Sequence, residues 1–169
     1  MKYVAIFMVA LVLIGLALGI YTYANTGLQV AQITLKAVAA AENESEFAAL
    51  QNAMDVGALA GTPFTDSLPG SASDYSFFTY TFRLKNPGLI GMEMVEIQPV
   101  PVNGDVLCYA TADAGEANAN LTVPAGKERD AWCVLLTTAQ NQESHLVTRS
   151  FRITYYVWGM ARSVTVTYN

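Results

Sequence analysis

Residues 151–168 read FRITYYVWGMARSVTVTY, and this stretch decides the fold. Apolar residues occupy every second position on both sides of the central pair Gly159-Met160. A period of two places one set of side chains on a buried face and the other on a wet face. Because Gly at the first central position suits a two-residue type II′ turn, the stretch predicts an antiparallel β-hairpin.

The same alternation recurs upstream, beginning at Phe77, and turn residues such as Asn103-Gly104 and Pro124-Ala125-Gly126 interrupt it. Asn-Gly between two apolar runs predicts a tight type I′ hairpin. No helix suited to a parallel crossover separates these runs. The pattern therefore predicts a mainly β fold, an antiparallel immunoglobulin-like β-sandwich of about seven strands over residues 77–169. The predicted strands are 77–85, 90–102, 105–112, 119–123, 130–138 and 147–158, with a return strand to Tyr168.

Residues 25–76 differ in composition from the sandwich that follows. The β-branched stretch 29–38 predicts a membrane-proximal strand, and residues 44–60 carry apolar side chains at helical spacing. Asn43 is placed to cap this short amphipathic helix, with Glu46 reaching back. Residues 61–76 collect Gly, Pro, Ser and Asp and predict a loop. We expect residues 25–169 to fold as one unit.

Residues 1–24 form the most apolar part of the chain, and Tyr3 to Ala24 contains no charged residue. A helix of this length reaches about 33 Å, which suffices for a hydrocarbon layer of about 30 Å. Lys2 precedes the run, so the positive-inside rule predicts a cytoplasmic amino terminus and an extracytoplasmic domain. Tyr21 and Tyr23 stand where an aromatic belt forms, which favours a retained single-pass signal-anchor.

Two further features of this segment leave alternatives open. Thr22-Tyr23-Ala24 is a tolerable cleavage site, so secretion after cleavage near Ala24 is the rival to anchoring. The run is longer than a usual signal peptide, which favours the anchor. Gly15 and Gly19 form a GxxxG pattern, which allows a homodimer by close helix approach or serves only ordinary packing.

The segment TYTFRLKNPG at 79–88, followed by a hairpin and the turn VPAGK at 123–127, resembles two kinds of anchored sandwich. It is similar to immunoglobulin-like modules of bacterial envelope proteins. It also resembles the late-embryogenesis-abundant domain of the water-stress and hypersensitive-response type. Either resemblance implies an anchored binding or structural module without shared catalytic residues, and the second implies stress protection.

The net charge is −5, from 14 acidic and nine basic residues, and the basic residues are scattered. Nucleic acid requires a concentrated basic face, so a nucleic-acid partner is excluded. An acidic domain is also repelled by anionic headgroups. No phosphate loop, nucleotide fingerprint or metal-ligand spacing occurs, so we expect no cofactor and no metal.

Cys108 and Cys133 are the two cysteines, and both fall on predicted strands of an exported domain. Oxidising conditions allow a disulfide there, which would close a loop of about 25 residues and add roughly 3 kcal/mol. The alternative is a pair of buried free thiols, because strand neighbours must also satisfy strict distance limits.

The sequence offers little for catalysis. His145 is the single histidine, and a small hydrolase would have to pair it with a nearby serine without a nucleophile elbow. Glu93 and Glu96 are three residues apart on a strand and point to opposite faces, so they do not form a carboxylate pair. We therefore expect a non-enzymatic protein, with the hydrolase as an unfavoured alternative.

Tyr156 and Trp158 near the carboxyl terminus form the candidate binding patch. If both point away from the core, they present an exposed aromatic strip suited to an envelope protein or a glycan. The alternative is that they cover the core. Together these features predict a membrane-anchored, extracytoplasmic interaction or assembly module that contacts lipid through its amino-terminal helix.

Overall fold

The computed structural model describes residues 2–59, 61–109, 121–139 and 148–169. Helix α1 spans Lys2–Ala24, and none of its residues is buried by the rest of the chain. Helix α2 spans Glu44–Asp55, and short 3₁₀ helices cover Ala40–Asn43 and Ala72–Asp74. The strands are β1 Gln29–Ala39, β2 Thr62–Pro63, β3 Tyr75–Lys85, β4 Glu93–Pro99, β5 Asp105–Tyr109, β6 Glu128–Thr138, β7 Arg149–Val157 and β8 Met160–Tyr168.

Two antiparallel sheets form the domain. One has the strand order β1-β3-β6-β5-β2 and the other the order β4-β7-β8. The long pairings of β3 with β1 and with β6 run through most of their length, so the first predicted strand belongs to the same sheet as the later ones. The prediction of a mainly β, antiparallel sandwich behind one apolar helix is confirmed.

The core lies between the two sheets and is built from the alternating side chains of β3, β6 and β7. Phe151 of β7 meets Tyr80 and Phe82 of β3 edge-on, with ring centroids 4.6 and 4.9 Å apart. All three rings are fully buried. Edge-to-face aromatic pairs of this kind add to the free energy of burial, so they hold the two sheets together.

A second apolar cluster lies on the outer face of the larger sheet, where α2 packs. Phe47 of α2 is buried there, with its ring 5.2 Å from that of Tyr75. The predicted helix at 44–60 ends earlier, at Asp55, because Gly57 adopts a φ of 67° that terminates it. The predicted cap is wrong: Asn43 makes no capping hydrogen bond, and Glu46 instead accepts one from Tyr109.

Two predicted turns need correction. Asn103-Gly104 does not close a hairpin, because β4 pairs with β7 while β5 pairs with β6, so the chain crosses between sheets there. In the last hairpin Val157 pairs with Met160, so Trp158-Gly159 forms the turn. Both turn residues have positive φ, 51° and 73°, which corresponds to type I′ and not to type II′.

The strand predicted at 119–123 is reduced, among the described residues, to a single bridge between Val123 and Met92. Residues 110–112, 119, 120 and 147 of the predicted strands lie outside the described residues. The predicted loop at 61–76 contains the two-residue strand β2 and the 3₁₀ helix at Ala72–Asp74.

Candidate functional site

The end of α1 is held against the β7–β8 hairpin. The Tyr23 ring stacks on Trp158, with centroids 6.0 Å apart and planes 12° from parallel. The Arg162 guanidinium carbon lies 3.9 Å from the Tyr23 ring centroid, a cation–π contact. Arg162 also donates a hydrogen bond of 2.5 Å to the Thr26 carbonyl. The hairpin tip is thereby fixed at the level of the last turn of α1.

The short link between α1 and β1 is tied to both of them. Asn25 and Thr26 donate backbone hydrogen bonds to Tyr21 and Tyr23, which extend the helix end. The Leu28 amide donates to the Tyr155 hydroxyl at 3.2 Å, and both residues are buried. The link is therefore part of the folded domain and not a free tether.

The loop at residues 86–91 lies at the end of the domain that is next to α1. Buried Asn86 donates from its side chain to the carbonyls of Ile90 and Val123, at 2.8 and 3.0 Å. A Cβ atom at Gly88 would lie 2.9 Å from the Thr26 Oγ1, so a larger residue there would force the Thr26 side chain or the loop to shift. The loop is ordered and packs directly beside the helix end.

Tyr156 and Trp158, the predicted binding patch, lie near each other but in different settings. Tyr156 is half-buried on the outer face of the smaller sheet, where it pairs with Glu93 of β4 and Ala161 of β8. Trp158 lies in the turn and is 59% exposed although its ring stacks on Tyr23. Neither side chain belongs to the buried core.

The sheet edges are unequally protected. Strand β1 has a bulge between Val30 and Gln32 and carries Lys36, and β4 has a bulge and ends at Pro99. Strand β8 pairs with β7 over nine residues without a bulge and, in the part of the chain that the structure describes, has no partner on its other side. Its outward side chains are small and uncharged: Ala161, Ser163, Thr165 and Thr167.

Cys108 and Cys133 are brought together inside the sandwich. Their sulfurs are 3.1 Å apart, and both residues are buried free thiols, so the structure contains no disulfide between them. The pKa of Cys133 is raised well above its usual value by the hydrogen bond with Cys108 and by burial. The predicted proximity is correct, and the bridge itself stays a prediction.

A buried ion pair that the sequence reasoning missed links the two sheets. Arg149 of β7 donates from Nη2 to the Asp105 Oδ2 of β5, and both side chains are only 1% exposed. Asp105 also accepts a hydrogen bond of 2.8 Å from the Val102 amide. The sequence did contain an indication of this pair. Arg149, Phe151 and Ile153 occupy every second position of β7, so the period-two pattern places Arg149 on the core face.

Near this pair, two buried hydroxyls lack a hydrogen-bond partner in the described part of the chain, those of Tyr80 and Thr137. Burial raises the pKa of Tyr80 to about 12. On the outer face of the larger sheet, burial and the hydrogen bond to Glu46 raise the pKa of Tyr109. Both phenols therefore stay neutral at physiological pH.

Of the residues considered for catalysis, the structure describes Glu93 and Glu96. His145 lies outside the described residues. The prediction that Glu93 and Glu96 point to opposite faces is wrong: both are exposed, and because the bulge lies between them they pair with Tyr156 and Thr154 on the same outer face. Glu96 accepts a hydrogen bond from Gln98. Within 2–59, 61–109, 121–139 and 148–169, no three metal-ligating side chains cluster.

No protein-family model and no curated protein matches the chain. Among solved structures, the crystal structure of the GGA1 GAE domain of yeast is similar, with a TM-score of 0.39 and 6% identity, over 60% of this chain and 94% of that one. A FixG-related protein from Vibrio parahaemolyticus is similar with a TM-score of 0.31 and 12% identity, over 54% and 76%. Neither likeness assigns a function to this chain.

Proposed function

We propose that the chain is a single-pass membrane protein whose β-sandwich acts as a non-enzymatic interaction or assembly module outside the cytoplasm. Helix α1 anchors it in the cell membrane, with the amino terminus and Lys2 on the cytoplasmic side. The partner is an envelope protein or a glycan.

The observation that carries the anchor is the exposure of α1. Its 23 residues are long and apolar enough to cross a membrane, and the domain buries none of them. An apolar helix that the protein itself does not cover is stabilised by an apolar environment such as a bilayer. The helix also ends inside a network of contacts with the domain, and cleavage near Ala24 would remove Tyr23 from that network.

The open edge of β8 supports the interaction role. An edge strand presents unpaired backbone donors and acceptors, and proteins usually protect such edges with charges, prolines or bulges. The outward side chains of β8 provide none of these, in contrast to β1 and β4. An extended segment of a partner protein can add to such an edge as a further strand. Tyr156 lies on the adjoining outer face and widens the surface available to a partner.

The test is fractionation of cells that express the full chain with a carboxyl-terminal tag, followed by external protease and intact mass. We expect the chain in the membrane fraction, with residues 1–24 retained and the domain degraded only from outside. A soluble product that begins near Asn25 would contradict the anchor and identify a secreted module. Protease resistance in intact cells would contradict the orientation.

A further inference from the structure

The exposed apolar side chains of the domain are concentrated at the end that meets α1. Among the described residues beyond α1, seven large apolar side chains are exposed. Three of them, Val56, Val100 and Val102, lie elsewhere on the domain. The other four lie at the end next to the helix: Leu89, Met94, Trp158 and Met160.

The strand register places Met94, Trp158 and Met160 together, and the loop at 86–91 brings Leu89 to the same end. Glu93 at the start of β4 pairs with Tyr156 near the end of β7, so Met94 lies beside the β7–β8 turn that contains Trp158. Met160 follows that turn, and its sulfur lies 3.7 Å from the Tyr23 hydroxyl. Leu89 projects from the loop that Asn86 and Gly88 hold against the link, and it is 79% exposed.

The height of this surface relative to α1 is fixed by several contacts of the β7–β8 hairpin: Trp158 stacks on Tyr23, and Arg162 contacts the Tyr23 ring and the Thr26 carbonyl. Tyr23 is the second-last residue of α1, and a helix of this length spans about 35 Å, slightly more than the hydrocarbon layer. Tyr23 therefore lies in the headgroup region when α1 spans the bilayer, and Trp158 lies at the same level. Tryptophan and tyrosine favour this region because their rings are apolar and their N–H or O–H groups remain hydrated.

The turn itself gives an independent reason to look for a role for Trp158. A type I′ turn needs positive φ at both central residues, which favours Asn-Gly, and Trp158 adopts a φ of 51°. A bulky residue in this conformation is uncommon and strained. Its stack on Tyr23 offsets part of that cost, and the ring is still 59% exposed.

We infer that this end of the sandwich, which we call the membrane-facing end (Leu89, Met94, Trp158 and Met160), inserts into the headgroup region of the phospholipid bilayer as a second membrane contact besides α1. The inference rests on the proposed anchoring of α1. The occupant is lipid, because the surface is continuous with the end of the spanning helix. The Arg162 guanidinium on Tyr23 supplies a cation at the depth of the lipid phosphates.

The test uses the full chain reconstituted in phosphatidylcholine vesicles whose acyl chains carry bromine near the headgroup, a quencher of tryptophan fluorescence. Trp132→Phe leaves Trp158 as the only tryptophan, and Trp158→Asn leaves Trp132, which is half-buried on β6. The Asn-Gly sequence of the second variant suits the turn, so it keeps the hairpin folded. We expect the brominated lipid to remove roughly half of the Trp158 emission and little of the Trp132 emission.

A second pair of variants tests the surface apart from the turn. In the background Trp132→Phe/Trp158→Asn, Leu89→Trp should be quenched, whereas Val100→Trp should not. Val100 follows the far end of β4 and is also exposed, so it is a matched control. Equal quenching at positions 89 and 100, or none at 89 and 158, would overturn the inference. A blue-shifted Trp158 emission without quenching would indicate contact with protein in place of lipid and would overturn it as well.

Alkaline extraction of the same vesicles separates this inference from the anchor. A chain that resists extraction but shows no quenching at positions 89 and 158 would contradict the second contact and leave the anchor intact. Release of the chain by alkali would overturn both.

Discussion

Arg149 is a fully buried cation on the core face of β7, and Asp105 of β5 is its partner. Taking two charges out of water carries a large desolvation cost, which their mutual attraction and further hydrogen bonds must offset. The loss of one partner leaves an uncompensated buried charge. The pair therefore links the two sheets in a way that an apolar contact does not, because it also specifies which residues meet.

We expect Asp105→Leu to lower the free energy of unfolding by about 3–5 kcal/mol, because Arg149 would keep its charge in the core. The matched control is Asp130→Leu, which removes an ion pair with Arg83 whose side chains are 36% and 50% exposed. That change should cost at most about 1 kcal/mol. Urea denaturation of the full chain in detergent measures both, and equal losses would contradict the role of the buried pair.

The buried hydroxyl of Tyr80 predicts a pH dependence of stability. Its pKa is about 12 in the folded protein, whereas an unfolded tyrosine titrates near pH 10. Below pH 10 both states keep the proton, but between pH 10 and 12 only the folded state does, so stability falls as the pH rises. The wild type should lose about 2 kcal/mol more than Tyr80→Phe over this interval, as measured by denaturation at each pH. Parallel curves for the two proteins would contradict this expectation.

Cys108 and Cys133 are placed for a disulfide but protected from reagents. Because the raised pKa of Cys133 keeps it protonated, we expect oxidised glutathione to form the bridge slowly in the folded chain and faster after partial unfolding. The bridge lowers the intact mass by two hydrogens and adds about 3 kcal/mol to stability. Unchanged mass after prolonged oxidation would show that the two residues remain free thiols.

Strand β8 differs from β1 and β4 in that its outward side chains carry no charge and it contains neither a bulge nor a proline. We expect Thr165→Lys to block partner binding at this edge while it changes stability by less than about 0.5 kcal/mol, since Thr165 is exposed. A photo-crosslinking residue at Ser163 should give a discrete adduct in the cell envelope. The adduct should disappear with Thr165→Lys and persist with the control Thr34→Lys on β1. An adduct that survives both changes would place the partner elsewhere.

The period-two pattern was sufficient to predict the strands of the last hairpin, because each strand buries one face. It did not predict which strands pair. The connection at Asn103-Gly104 carries a hairpin sequence, yet β4 and β5 belong to different sheets. The chain does turn at Asn103-Gly104, where the Asp105 amide donates to the Val102 carbonyl, but tertiary packing sends the two flanking strands to different partners. The last turn was predicted at Gly159-Met160, one residue after its actual position at Trp158-Gly159. The reason is related: the register of a hairpin is set by how its two strands pair.

At the scale of the whole molecule, an apolar helix and a β-sandwich could be predicted from composition and periodicity alone. Their junction could not, since it depends on contacts between Tyr23, Trp158 and Arg162, which are far apart in sequence. Arg162 shares its alternation phase with Val164, which puts it on the inner side of β8. The period-two pattern therefore indicated that Arg162 is a charged residue on the inner face, where a structural role is expected.

A charge in the middle of α1 should release the whole chain from the membrane. Leu13→Arg adds about 2.5–3.5 kcal/mol to the cost of insertion, whereas Leu13→Met conserves the apolar surface. We expect the arginine variant to shift toward the alkali-extractable fraction and the methionine variant to behave as the wild type. Equal membrane retention of the two variants would contradict a spanning α1.

The bonded link between α1 and β1 limits the reach of the protein. A flexible tether would let a domain sweep a volume that grows with tether length, but Asn25, Thr26 and Leu28 are each hydrogen-bonded in place. An eleven-residue strand such as β3 measures about 36 Å, so under the proposed anchoring the sandwich would extend from the bilayer by no more than about one strand length. With α1 anchored as proposed, a binding partner would have to share the same membrane or protrude to within that distance, and the two proteins would meet by lateral diffusion.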